Sequence, residues 1–486
     1  MSGTLPVINL ESGGSAAKPI RKVGLCVPGL AWPIITALVI RLTLLGALLF
    51  QGGSSALTKN DAASYMEPGR NLLLHGSFTA DGVPDLLRTP GYALFLAITS
   101  LPGIPAAAAA NVILSACSVM LVWKLALALF HDDRIAISAA WIFVFEPLSV
   151  IHSVFPLSET LFTALILVTV ERVIEFLRGR RLRVLFAAGL CLAAATFVRP
   201  IAYYLPVTLA FGLFLVLARE RGLRWKAPAV LLISVLPFLA GWQIRNWSET
   251  GYGGFASISD VNLYSYVAAD VTARVEHRNL FAVRRDLGME VGAIHSGSGQ
   301  SYLSQAYLAR HPEQVGWPQS RRLAFMHSEA VQVIRAHSEV YLGSIFRTLP
   351  GILFSSGAGF VDHPLIPEDS VRDARFIHGD LLSLGPARWW AEFVKEYPED
   401  YPWAMAERVA FTAILLGLSA FAIRGVFRSG KGNTGLWLLL GTCLYLIAVS
   451  AAGAAPIADS RFRQPVMPAV CILAAAGIQR KKTLGR

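Results

Sequence analysis

Apolar runs long enough, or nearly long enough, to cross a bilayer recur along the chain. They lie near 28–50, 104–130, 135–155, 158–177, 184–198, 201–218, 228–244, 405–427, 435–453 and 465–479. About 20 apolar residues span a membrane as an α-helix, so the pattern predicts an all-α polytopic membrane protein with about ten transmembrane helices. The apolar piece Gly91–Leu101 is too short to span and is expected as an interfacial or re-entrant helix. A second short piece, Tyr341–Phe354, contains Arg347 and Pro350 and is expected to be broken there and to lie at the membrane surface. No internal repeat is evident.

The gaps between runs are of two kinds. Arg178–Arg183, Arg219–Lys226, Arg424–Lys431 and Arg480–Lys482 are basic. Phe155–Glu159, Arg199–Pro200, Arg245–Asn246 and Asp459–Arg463 carry prolines and isolated polar residues. The positive-inside rule puts the first set and both termini in the cytoplasm and the second set outside. His131–Arg134 has little basic excess and must also be cytoplasmic for the alternation to hold. Lys18, Arg21 and Lys22 precede the run Leu25–Phe50, which is too long for a signal-peptide core and contains Arg41. An uncleaved first span is expected.

The organisation expected is a cytoplasmic tail at 1–27, an N-terminal transmembrane module at 28–245 with its first outer loop at 51–103, an extracytoplasmic segment at 246–404, and C-terminal helices with a cytoplasmic tail at 405–486. Trp389, Trp390, Tyr397, Tyr401 and Trp403 form an expected interfacial aromatic belt. The protein is expected in the cytoplasmic (inner) membrane, with its polar site facing outside.

Composition fits this class. Charged residues make up 15% of the 486, against about 25% in soluble domains, and the mean hydropathy is +0.52. The net charge of +11 resides largely in the short loops, so orientation in the bilayer accounts for it and no nucleic-acid partner is implied. The five cysteines sit singly in or beside apolar runs and are expected as packing residues. The histidines show no metal-ligand spacing.

The stretch Asn60–Tyr92 is the polar exception, with Asp61, Tyr65, Glu67, Arg70, Asp81, Asp85 and Arg88 ahead of Thr89-Pro90-Gly91-Tyr92. Asp61 and Tyr65, four apart, share one helix face. Polar residues held at a bilayer surface by flanking spans mark a candidate site. Asp61, Arg88, Glu159, Arg199, Arg245, Asn246, Asp459, Arg461 and Arg463 all fall on the expected outer face. Guanidiniums grip phosphate bidentately, and a nearby carboxylate can act as general base on an incoming hydroxyl. Plainer roles are open for the same residues. Asp61 could cap a helix at 62–74, and Glu159 could complement the first turn of its span. Arg199, Arg461 and Arg463 could anchor helix ends at the headgroups. Asp81 and Asp85 read as turn residues, and Arg41 either faces the interior or snorkels.

The pieces Asp61…Tyr65…Arg70-Asn71…His75-Gly76 and Arg88-Thr89-Pro90-Gly91-Tyr92 resemble the first outer loop of GT-C glycosyltransferases. The similarity is to the protein O-mannosyltransferases and the lipid A aminoarabinose transferase. Ser158-Glu159-Thr160-Leu161-Phe162, Val198-Arg199-Pro200, Arg245-Asn246 and Arg461-Phe462-Arg463-Gln464-Pro465 follow in the same order. The resemblance covers about 30–255 and 455–480 and leaves the long segment uncovered. It implies an inverting transfer of a sugar from a polyprenyl-phosphate donor to a lipid, glycan or protein acceptor of the cell envelope. Asp61 and Glu159 would be the catalytic carboxylates, and Asp61 would bind or deprotonate the acceptor. Tyr65, Arg88, Arg199, Arg245, Asn246, Arg461 and Arg463 would bind substrate. Two departures stand out. Ala62 follows Asp61 where many relatives have an acidic pair, which leaves a divalent cation open, and Thr89-Pro90 replaces a double proline. Alternatives are a transporter or flippase, whose polar groups would lie near mid-membrane, and a ligase for lipid-linked polysaccharide.

Overall fold

The computed structural model describes residues 28–58, 61–289, 303–355, 402–429, 432–457 and 459–479. The N-terminal half runs α1 (Pro28–Gly52), α2 (Ala62–His75), α3 (Pro90–Thr99), α4 (Ile104–Phe130), α5 (Asp133–Val144), α6 (Pro147–Ser153), α7 (Ser158–Gly179), α8 (Leu182–Val198), α9 (Leu205–Val216), α10 (Arg221–Ile233) and α11 (Leu236–Thr250). Shorter helices follow: α12 (Ile258–Asn262), a π-helical stretch (Leu263–Ala268), α13 (Ala269–Val275), α14 (Leu280–Asp286), α15 (Gln305–Arg310), α16 (Gln319–Ala336) and α17 (Ser338–Phe354). The chain closes with α18 (Pro402–Arg428), α19 (Thr434–Ala454) and α20 (Met467–Ile478). Strand structure among the described residues is one hairpin, β1 (Thr79–Ala80) and β2 (Val83–Pro84), paired antiparallel.

The fold is that of an all-α, multi-pass membrane protein. Five described helical stretches are long and apolar enough to cross a bilayer, or six if the bent pair α5 and α6 counts as one span. Trp32, Phe211, Ile233, Phe427 and Leu444 stand exposed on these helices and their neighbours, the side-chain type that hydrocarbon accepts and water does not. The expected run 135–155 is one apolar stretch in sequence, but the structure bends it by 56° between α5 and α6. The cause is local: Pro147 begins α6, and the Glu146 carboxylate caps it by accepting from the amides of Leu148 (3.0 Å) and Ser149 (2.7 Å). Arg41, fully buried in α1, faces the interior and donates to Ser115 Oγ (2.9 Å) and the Val144 carbonyl (3.2 Å). The four described cysteines are unpaired.

Successive long helices alternate in direction. At one end of the bundle Arg180 pairs with Glu220, Asn433 donates to the Leu129 carbonyl, and Arg428 donates to the carbonyls of Gly477 and Gln479. The other end carries the hairpin, α2, α3 and the short helices α12–α17. There α3 is a 10-residue helix that does not span, as its length predicts. Two glycines let it dock. A Cβ on Gly69 would lie 2.1 Å from the Ala93 carbonyl oxygen, and one on Gly91 would lie 2.6 Å from the Phe197 backbone. The second contact sets the start of α3 against the end of α8, next to Arg199.

The piece Tyr341–Phe354 is not broken. α17 runs through Arg347 and Pro350; Pro350 removes one N–H bond of the ladder, to the Phe346 carbonyl, without ending the helix. Tyr341 Oη donates to the Ala452 carbonyl (3.0 Å), fastening α17 to α19. A second, smaller core joins Leu86 and Leu87 of the first loop to Val261, Tyr264, Leu323 and Met326 of the short helices. The expected aromatic belt, Trp389 through Trp403, lies outside the described side chains, as do the tail 1–27 and the basic residues 480–482.

Candidate active site

The first loop is built to aim Arg88. Asp81 and Gly82 both have positive φ (52° and 76°) and make the two-residue turn of the hairpin. Glu67 Oε1 accepts from the Asp81 amide (2.8 Å), and Asn71 donates to the Thr79 carbonyl (2.9 Å), so α2 holds the hairpin. Asp85 Oδ1 then accepts from the amides of Leu87 (2.6 Å) and Arg88 (3.3 Å). Burial pushes the Asp85 carboxyl above its ordinary range, against the opposing pull of those amides and of Arg88 and Arg245.

Arg88 is buried and three of its nitrogens are engaged. Nη2 meets Asp61 Oδ1 at 2.8 Å, Nε donates to Ser64 Oγ at 2.9 Å, and Nη1 reaches Tyr65 Oη at 3.4 Å. Its guanidinium carbon lies 4.6 Å from the centre of the Tyr65 ring. Asp61 makes no capping bond to α2. Its second oxygen accepts from Arg461 Nη1 at 2.8 Å. Arg461 sits in a 3₁₀ turn, Ser460–Phe462, whose start is capped by Asp459, and its Nε lies 3.2 Å from Asp459 Oδ2. Burial alone would lower the Arg461 pKa, but the carboxylates of Asp61, Asp459 and Glu159 outweigh it and raise it.

Glu159, only 2% exposed, completes the group through Arg199, whose Nη1 lies 2.5 Å from Glu159 Oε1. The structure therefore gathers Asp61, Tyr65, Arg88, Glu159, Arg199, Asp459 and Arg461 into one charged cluster. His152, fully buried, lies within electrostatic reach of Glu159, Asp459, Arg461 and Arg199. Neither Ser64 nor His152 was expected from sequence. Ser64 could have been found one turn from Asp61, whereas nothing in its surroundings marks His152.

Three expected substrate-binding residues are spent elsewhere. Arg245 donates to the carbonyls of Phe78 (2.8 Å) and Asp85 (3.2 Å) and pairs with Glu249 (2.7 Å). Asn246, fully buried, donates to the carbonyls of Gly254 and Phe255. Arg463 donates to the carbonyls of Ile352 (2.6 Å) and Ser355 (2.8 Å) at the end of α17. These are clamps: they tie the first loop and the short helices to the bundle. Among the described residues no group of three or more His, Cys, Asp or Glu is placed to hold a metal ion. The cluster's own carboxylates, Asp61, Asp459 and Glu159, are turned toward guanidiniums.

Fold and site together define a multi-pass helical membrane protein with an arginine–carboxylate cluster at one end of its bundle. No protein-family profile and no curated protein matches the sequence. Among solved structures, the chain is similar to the oligosaccharyltransferase of Archaeoglobus fulgidus in its apo form, at 11% identity and a TM-score of 0.48, over 92% of this chain and 50% of that one. It is also similar to the same organism's AglB in complex with an inhibitory peptide and a dolichol-phosphate (11%, TM-score 0.44, 92% and 50%). A third is ArnT from Cupriavidus metallidurans bound to undecaprenyl phosphate (13%, TM-score 0.38, 93% and 78%). The chain spans about half the length of the archaeal structures.

Proposed function

We propose that this chain is an integral-membrane glycosyltransferase moving a sugar from a polyprenyl-phosphate donor to an acceptor on the outer face of the cytoplasmic membrane. The observation that carries this reading is the double grip on Asp61 by Arg88 and Arg461, residues 27 and 400 positions away in sequence. A guanidinium matched to a carboxylate is equally matched to a phosphate. An arriving donor phosphate therefore competes with Asp61 for the same two arginines. As they turn to the phosphate, Asp61 lone pairs are released toward an acceptor hydroxyl, so donor binding prepares the base.

In the transfer, the acceptor oxygen attacks the anomeric carbon, the carbon–oxygen bond to the phosphate breaks, and the hydroxyl proton passes to Asp61. Arg88 and Arg461 stabilise the departing polyprenyl phosphate, a charge that grows along the reaction. One displacement inverts the anomeric centre. Glu159 holds Arg199 beside the same phosphate position, and Tyr65 supports the Arg88 guanidinium. The acceptor is a lipid, glycan or protein of the cell envelope.

The test is a panel of polyprenyl-phosphate sugars incubated with purified protein, with release of free polyprenyl phosphate as the readout. One donor is expected to be consumed, slowly even without acceptor. Full stability of every donor, with and without envelope acceptors, would reject the reading. Orientation has its own test. Cysteines at Ser248 and Arg221, at opposite ends of the α10–α11 stretch, should label from opposite sides of the membrane, with Ser248 outside.

A further inference from the structure

Away from the cluster, a cavity of about 800 Å³ opens between α13, α14 and α17, with Pro456 also in its lining. That volume falls in the range of small-molecule sites. Its lining is cationic. Arg274 is spent on Asp270 (2.8 Å), to which Ser344 also donates. Arg278 is held by Glu276 and Asp286. Arg347 has no ion-pair partner among the described residues, although it lines the same cavity. The remaining lining acid, Glu339, is eight residues earlier on α17, about 12 Å along the axis.

Arg347 therefore presents to the cavity a cation without a countercharge among the described residues. Pro456 precedes Arg461 by five residues, so their Cα atoms are no more than about 18 Å apart. α17 is fixed to the same segment by Tyr341 and by Arg463. Leu280 and Phe281 add apolar surface to the lining.

We propose that this cavity binds the acceptor's headgroup and selects an acidic saccharide, whose phosphate or carboxylate Arg347 grips. The acceptor role rests on the glycosyltransferase reading, whereas the binding itself does not. The test uses full-length protein in neutral-lipid nanodiscs without donor, and measures binding of glucose 1-phosphate, glucuronic acid and neutral methyl glucoside. Both acidic sugars are expected to bind at least tenfold more tightly than methyl glucoside. Arg347→Ala should remove that preference and Arg347→Lys should keep part of it. Gly343→Phe, whose Cβ would stand 3.6 Å from Arg347 Nη1, should block all three sugars by filling the space. Dodecyl glucuronide carried in the nanodisc tells the source: tighter binding than glucuronic acid marks a lipid-anchored acceptor, weaker binding a soluble one.

Equal binding of acidic and neutral sugars, or acid binding untouched by Arg347→Ala, would overturn the proposal. So would tighter binding of a polyglutamate peptide than of any saccharide, or displacement of the sugars by phosphatidylglycerol. Should every donor prove inert while Arg347-dependent sugar binding persists, the cavity stands and the transferase reading falls. A working transferase whose cavity ignores acidic sugars drops this inference alone.

Discussion

Arg461 and Arg463 stand two residues apart and spend their guanidiniums in opposite ways. Arg461 faces carboxylates, Asp61 and Asp459, in a half-buried turn. Arg463 faces two backbone carbonyls and is almost fully buried. The same division runs through the molecule: Arg88 and Arg199 grip carboxylates, while Arg41 holds two carbonyls and a hydroxyl, and Arg245 holds carbonyls beside one exposed glutamate. A carbonyl is neutral and fixed in the backbone, so a clamp on it has no partner to exchange. A carboxylate has the charge and fork geometry of a phosphate oxygen pair, so an arginine on it can change partners when a phosphate arrives. On the proposed function, the carboxylate-bound arginines are the ones that meet the donor phosphate, and the carbonyl-bound arginines hold the surrounding backbone in shape.

The largest effect that would sharpen the contrast belongs to Asp61. Asp61→Asn is expected to slow transfer to a hydroxyl acceptor by roughly a hundredfold or more, since it removes the base. Helix capping does not confuse the result, because Asp61 makes no cap bond to α2. Ala at this position also leaves Arg88 and Arg461 without their shared partner, so Asn is the cleaner test of the base. A fully active Asp61→Asn enzyme would end the base assignment.

The neighbouring arginines come next. Arg461→Ala should cost about 1.5–3 kcal/mol in donor binding, the value of a charge-assisted bond, or roughly tenfold to a hundredfold in affinity. Arg463→Ala leaves two buried carbonyls unpaired and should cost roughly 2–4 kcal/mol of stability, with donor affinity near wild type in whatever protein remains folded. Donor titration and thermal melting on both variants read the two quantities. If both variants lose donor affinity equally, the division between exchangeable and fixed arginines fails.

Much of this division was hidden from the sequence, and the reason is physical. Element positions were legible: α4 was expected at 104–130 and runs Ile104–Phe130, because span length and hydropathy are local properties. Asp61, Tyr65 and Arg88 were legible as a group for a similar reason, since they share one short loop. Arg245 and Asn246 looked like site residues on the same grounds, a polar pair at a span's end. Their partners, Phe78 and Asp85 for Arg245, lie 167 and 160 residues away, and no local pattern distinguishes a carbonyl clamp from a ligand grip. The α5–α6 bend was missed because apolar side chains continue through it, although Glu146-Pro147 carries the signature of a new helix start.

The smallest effect concerns the other carboxylate of the first loop. Asp85 accepts backbone amides, so among carboxylates it corresponds to the arginines that hold carbonyls. Burial raises its pKa, so the folded state binds its proton more tightly than the unfolded chain does. The stability this proton contributes is present at low pH and is lost as pH rises through the folded-state value. Above that value the ionised Asp85 is a cost. Asp85→Asn keeps an oxygen for the amides of Leu87 and Arg88 and removes the buried charge. The variant should therefore melt at or slightly above wild type near pH 8, and the difference should shrink and reverse in favour of wild type as pH falls. Its transfer rate should stay within a few-fold of wild type, in contrast to the roughly hundredfold loss at Asp61. Comparable losses of activity at Asp85→Asn and Asp61→Asn would mean that both carboxylates serve the reaction, and that partner type does not sort the charges of this loop.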